Sequence, residues 1–128
     1  MNPGSIFVFG SNEAGAHGGG AALAALRKHG AVMHVGRGPM GNSYAIPTLD
    51  HRLQQLSLHT ITRNVNHFLW YARQRASLQF QVTRIGCGIA GFTDEQIAPM
   101  FGEAPANCFF DLAWKPFLGD AHNYWGTY

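Results

Sequence analysis

Apolar and polar positions along this chain follow two different periods. Residues 6–9 (Ile6-Phe7-Val8-Phe9) are continuously apolar, the pattern of a short strand buried on both faces. Residues 79–85 read as another strand, and residues 107–110 predict a last one. Residues 31–35 predict a short second strand and residues 36–42 a loop. Residues 43–46 then resume a strand that Pro47 ends. Between these runs the period becomes helical. Residues 18–29 predict a helix whose alanines allow close packing on a sheet, with Gly30 placed to end it. Residues 58–76 carry Ile61, Val65, Phe68, Leu69 and Ala72 on one face, with Ser57 as N-cap. Thr93 and Gln96 have the spacing of a capping box, and Pro99 limits the helix they open. Residues 114–128 are aromatic and show no clear period. Strands alternating with helices predict an α/β fold of three layers, α/β/α, around a mixed sheet.

Two glycine-rich turns punctuate this alternation, each between a strand and a helix. The first is Gly10-Ser11-Asn12-Glu13-Ala14-Gly15-Ala16-His17-Gly18-Gly19-Gly20. The second is Gly86-Cys87-Gly88-Ile89-Ala90-Gly91-Phe92. A strand, a glycine turn and a helix together expose backbone N–H groups to an anion at the helix N-terminus. In open α/β sheets ligands bind at the carboxyl ends of strands, where both turns fall. Two such turns imply a ligand with more than one anionic group, held between them.

Composition narrows the class. The 128 residues amount to one domain, with a core over about residues 6–110 and an aromatic tail over 114–128. Apolar residues make up 46% and charged residues 12%, half the usual share, which argues against disorder. A net charge of +2 is too small for nonspecific nucleic-acid binding. Cys87 and Cys108 give neither a disulfide framework nor a zinc spacing, so a reduced, cytoplasmic setting is expected, with no metal and no cofactor. The first five residues lack the features of a signal peptide, and no window approaches a membrane span.

The residues after His17, Gly18-Gly19-Gly20-Ala21-Ala22 running to Arg27-Lys28-His29-Gly30, resemble the glycine loop and first helix of macrodomains. The likeness is nearest to the branch of terminal ADP-ribose protein glycohydrolases. Arg84-Ile85-Gly86-Cys87-Gly88-Ile89 is similar to the second ligand loop of that branch, and Ser43-Tyr44-Ala45-Ile46-Pro47-Thr48 to its strand ending in threonine and lysine. Ile97-Ala98-Pro99-Met100 resembles the start of the next helix. The resemblance runs from about Ile6 to Phe110 and implies binding of ADP-ribose or a derivative, free or attached to protein or nucleic acid. It implies that Gly18, Gly19, Gly20 and Ala21 line a phosphate and the distal ribose. Gly86, Cys87, Gly88, Ile89 and Ala90 would hold the diphosphate, and Gly10, Ser11 and Asn12 would lie beneath the distal ribose. Thr48, Ile85, Gly91 and Phe92 complete the expected lining. The branch's catalytic lysine and aspartate correspond here to Leu49 and Ala90, neither of which can act as acid, base or nucleophile. Binding therefore ranks above hydrolysis of an ADP-ribosyl or 1″-phosphate linkage.

Should hydrolysis occur, Asn12, His17 or Asp50 would position the water. His17 is either a group beside the ligand or a solvent-exposed loop histidine, and Asp50 either a site residue or a turn residue. Phe92 either stacks on the ligand or anchors the core. Arg84 suits an ion pair, Asp94 the first turn of its helix, and Cys108 the core. The alternative function is protein–protein interaction through the aromatic tail, Trp114, Phe117, Tyr124, Trp125 and Tyr128.

Overall fold

A computed structural model describes residues 1–127. Tyr128 lies outside the described residues. The elements in chain order are β1 (Ile6–Asn12), α1 (Gly20–Lys28), β2 (Gly38–Met40), β3 (Ser43–Leu49), α2 (Leu58–Arg73), β4 (Phe80–Val82), α3 (Asp94–Ile97), β5 (Cys108–Asp111), α4 (Lys115–Leu118) and β6 (Asn123–Gly126). Short 3₁₀ turns at Ala98–Phe101 and Leu112–Trp114 join the later elements.

The six strands form one sheet in the order β2-β3-β1-β4-β5-β6. All neighbours are parallel except the β2–β3 hairpin. Alternation along β1 divides the core. Phe7 and Phe9 face α1, where Ala22 and Ala25 allow the helix to approach closely. Val8 faces the other way, into a larger cluster with Ile61, Val65, Phe68 and Leu69 of α2 and with Phe101 and Trp114. The result is a three-layer α/β/α fold.

Caps expected from the sequence are present. The Ser57 hydroxyl accepts the Thr60 N–H at 3.1 Å, and Thr93 and Gln96 form a reciprocal capping box. Pro99 confines α3 to one turn, and the chain continues as a 3₁₀ turn.

Several boundaries differ from expectation, for reasons of tertiary contact. Residues 31–35 are not a strand. His34 has φ of 70°, outside the strand region, and the segment wraps over the buried His17 instead. The strand lies in the next segment, residues 38–40, within what composition reads as loop. There Pro39 occupies an edge strand, where its missing N–H leaves no ladder gap. Pro47 does not end β3, which runs to Leu49. The neighbouring β2 reaches only Ala45, so that side of β3 is already an edge at Pro47. β1 extends through Gly10, Ser11 and Asn12, placing them in the strand rather than the turn. β4 is confined to Phe80–Val82: the Thr83 N–H still bonds the Val8 carbonyl at 3.1 Å, and the chain then turns, with the Ile85 N–H on the Thr83 carbonyl at 2.8 Å. α2 stops at Arg73, short of residue 76.

The aromatic tail belongs to the fold. Trp114 is buried, β6 pairs with β5, and the Trp125 indole N–H donates to the Val82 carbonyl at 2.9 Å. Among the described residues, no helix is long and apolar enough to cross a membrane.

Candidate functional site

A cleft of about 750 Å³ runs across the carboxyl ends of the parallel strands. Thr48 and Leu49 close β3, Asn12 closes β1, Thr83 follows β4, Asp111 closes β5 and Thr127 follows β6, and all of them line it. Adjacent strands stand about 4.8 Å apart, so the span from β3 to β6 is roughly 19 Å. That length accommodates an extended ligand rather than a compact one. Among the described residues, no three His, Cys, Asp or Glu side chains gather as a metal site.

Both glycine turns form its walls. Gly10, Ser11, Asn12, Gly18, Gly19, Gly20 and Ala21 line it from the first, and Gly86, Cys87, Gly88, Ile89 and Ala90 from the second. The two approach closely: a Cβ on Gly19 would stand 2.9 Å from the Ile89 Cδ1. Glycine at 19 therefore permits the span, and Ile89, 78% exposed, reaches across.

The N–H groups divide into committed and uncommitted sets. Gly19, the N-cap of α1, has no side chain with which to cap it. The first-turn N–H groups of Gly20, Ala21 and Ala22 therefore have no intrahelical acceptor. In the second turn the Cys87 N–H donates to the Arg84 carbonyl at 3.1 Å and the Gly91 N–H to the Gly88 carbonyl at 3.0 Å. Among the described residues, no acceptor pairs with the N–H of Gly88, Ile89 or Ala90. These three, with the first turn of α1, are the donors left for an anion. Cys87 lines the cleft, but its N–H is not among them.

Five expected site residues lie off the cleft wall. His17 is neither beside the cleft nor exposed. Its ring is fully buried edge-on against Phe9, and Nε2 lies 2.9 Å from the carbonyls of both Val32 and Val35. Two carbonyl acceptors require Nε2 to carry the hydrogen. The ring thus pins the 31–36 segment from inside. Asp50 serves a turn: its Oδ1 accepts the N–H groups of Arg52, at 2.8 Å, and of Gln54, at 3.0 Å. Ile85 is buried in the core and Phe92 nearly so, which settles the latter as an anchor. Gly91 sits behind the loop, its N–H already used.

Asn12 lines the cleft and also shapes it. Its amide accepts from the Ala16 N–H and donates to the Ala16 carbonyl, both at 2.9 Å. The Thr48 hydroxyl donates to the Ser11 carbonyl at 3.3 Å, and the Ser11 hydroxyl to the Gly36 carbonyl. These contacts hold the ends of β1 and β3 in place.

Arg84 is the cationic side chain among the lining residues, and part of its guanidinium is engaged. Its Nε and Nη2 donate to the two oxygens of Asp94, at 2.9 and 2.6 Å, and the Trp114 indole adds a third bond to Asp94 at 2.7 Å. The guanidinium holds the Asp94 carboxyl below its usual range. Burial, reinforced by the nearby Asp94, pushes the Cys87 thiol up to about 12. At neutral pH Cys87 is therefore a thiol and a poor nucleophile.

Sequence reading missed Ala16, Ala22, Ala24, Leu53, Thr83, Asp111 and Thr127 as lining residues, and assigned Arg84 only a pairing role. Leu53 reaches the cleft from the Asp50 turn, with φ of 62°. Asp111 carried a usable signal: it is a lone acid directly after the apolar run Cys108-Phe109-Phe110, at a strand's carboxyl end.

No protein-family model and no curated protein matches the chain. Among solved structures, a protein of unknown function from Bacteroides thetaiotaomicron is similar at 16% identity, with a TM-score of 0.54 over 77% of this chain and 80% of that one. The likeness is one of fold: both chains share the α/β architecture described above.

Proposed function

We propose that this cleft binds ADP-ribose or a related ADP-ribosyl nucleotide without hydrolysing it. The supporting observation is the pair of glycine turns that face each other with uncommitted backbone N–H groups across one cleft at the strand ends. Donors on two separate loops suit a diphosphate, and the extended cleft leaves room for a group on either side of it. The resemblance of both turns to macrodomain loops supplies the choice of nucleotide.

Catalysis has weaker support. By the resemblance, Leu49 and Ala90 stand where the glycohydrolase branch has its lysine and aspartate. His17 and Asp50 are committed to structure away from the cleft, and Cys87 is a neutral thiol.

Calorimetric titration tests the reading. ADP-ribose is expected to bind with micromolar affinity and AMP much more weakly, since AMP reaches only part of the paired loops. Gly19→Glu places a carboxylate between Gly19 and Ile89 and is expected to abolish binding while thermal unfolding stays cooperative. Absence of ADP-ribose binding at millimolar concentration overturns the proposal.

A further inference from the structure

Asp111 is fully buried, closes β5 and forms part of the cleft wall. Its Oδ1 accepts the Ala113 N–H at 2.9 Å, capping the 3₁₀ turn that follows. Its Oδ2 is sealed from solvent and has no hydrogen-bond partner among the described residues. A buried carboxylate oxygen without a donor is costly, and proteins retain few of them. The nearby Arg84 acts on Asp111 only through space: the two hydrogen bonds it makes go to Asp94, and none reaches Asp111. The Thr83 hydroxyl beside it is also used, on the Val8 carbonyl.

The position of this oxygen orients a ligand. Uncommitted N–H donors lie on the loops after β1 and β4, while Asp111 lies one strand further on, toward the β6 edge. A carboxylate repels phosphate, so the anionic part of a ligand belongs between the loops and an uncharged, donor-bearing part belongs beside Asp111. The opposite end, at β3, offers Thr48, already bonded to Ser11, and the apolar Leu49 and Leu53. Among the described residues, the β5–β6 end is the one of the two that presents a buried side-chain acceptor in need of a donor.

Resting on the nucleotide reading above, we propose that Asp111 is a specificity-determining residue: its free oxygen accepts a hydrogen bond from an N–H or O–H group on the nucleoside end of the ligand. The ligand then lies with its nucleoside toward β5 and β6 and its second ribose toward Asn12 and Thr48. Two groups on adenosine supply this chemistry, the exocyclic amine and the ribose 2′-hydroxyl. A site built around such a bond rejects an analogue that lacks the donor, since the acceptor is left buried and unpaired.

The test titrates wild type and Asp111→Ser with three ligands: ADP-ribose, its analogue with hypoxanthine in place of adenine, and its analogue lacking the adenosine 2′-hydroxyl. Serine keeps a cap for Ala113 but removes the second oxygen. In wild type one of the two analogues is expected to bind about tenfold or more weakly than ADP-ribose. The analogue that does so identifies the donor. In Asp111→Ser that penalty is expected to fall to about twofold or less, as removal of both partners of one bond requires. Should Asp111→Ser fail to fold, Asp111→Asn preserves shape and cap. The hypoxanthine preference then reverses, or the 2′-hydroxyl penalty shrinks because a neutral amide replaces a charged acceptor. Analogues that bind wild type within about twofold of ADP-ribose, or penalties unchanged in the variant, overturn the role of Asp111 and leave the nucleotide reading standing. Failure of ADP-ribose itself to bind wild type removes both.

Discussion

At the scale of single residues, the side chains with the most obvious chemistry in the sequence turn out to hold loops, and the cleft depends on quieter ones. His17 is the clearest case. It precedes three glycines, yet its ring points inward and its Nε2 secures the Val32 and Val35 carbonyls. His17→Ala should therefore cost about 2–4 kcal/mol of stability, from the lost buried contacts and two stranded carbonyls. ADP-ribose affinity of the folded variant should be little changed. Urea denaturation with titration of the same sample checks this. Unchanged stability with lost affinity would place His17 at the ligand after all. Asp111 is the opposite case, an acid with no motif around it whose environment singles it out.

At the scale of elements, one ion pair ties the second ligand loop to α3 and to the tail. Arg84 enters the loop, Asp94 opens α3, and Trp114 reaches Asp94 from the 3₁₀ turn. The Asp94 carboxyl in the folded protein titrates below its unfolded value of about 3.9, chiefly through its bonds to Arg84. The stability it contributes is complete above that unfolded value and disappears as pH falls through the lower folded one. Asp94→Asn keeps an oxygen for Trp114 but not the charge. Unfolding free energies of the two proteins should differ at neutral pH and converge on acidification below about pH 4, which denaturant titrations across that range can measure. A gap that persists at low pH would assign the effect to packing. The same paragraph of sequence, Thr93-Asp94-Glu95-Gln96, declared its capping box openly, because a cap is a contact between residues three apart. The bond from Arg84 to Asp94 spans ten residues and carries no comparable local signature.

At the scale of the whole molecule, the tail decides whether the sheet is complete. β6 pairs with β5, Trp114 packs against both Phe101 and Phe110, and Trp125 bonds to Val82. Removal of residues 116–128 should abolish cooperative thermal unfolding, as followed by calorimetry, instead of yielding a folded protein that lacks a partner surface. A truncated chain with a sharp transition and intact ADP-ribose binding would return the tail to the role of an interaction surface. The cleft also has meaning only at this scale, since it draws on five strands and two crossovers.

The sequence by itself determined the features that rest on neighbours in the chain. These are the buried β1, the apolar face of α2, both helix caps and the two glycine turns at strand ends, which together give the α/β class and locate most of the cleft lining. Tertiary structure decided whatever depends on partners far along the chain. Pro39 and Pro47 are tolerated in strands because those positions lie on an edge, and an edge exists only once strand order is set. The exposed Val32, Met33 and Val35 look like a strand in sequence, but the buried His17 beneath them holds a turn. Thr127 reaches the cleft because β6 lies beside β5, and one oxygen of the buried Asp111 is without a hydrogen-bond partner among the described residues. Local periodicity records which face of an element is apolar. It does not record which element covers that face, and burial, pairing and unmet hydrogen-bonding capacity follow from the latter.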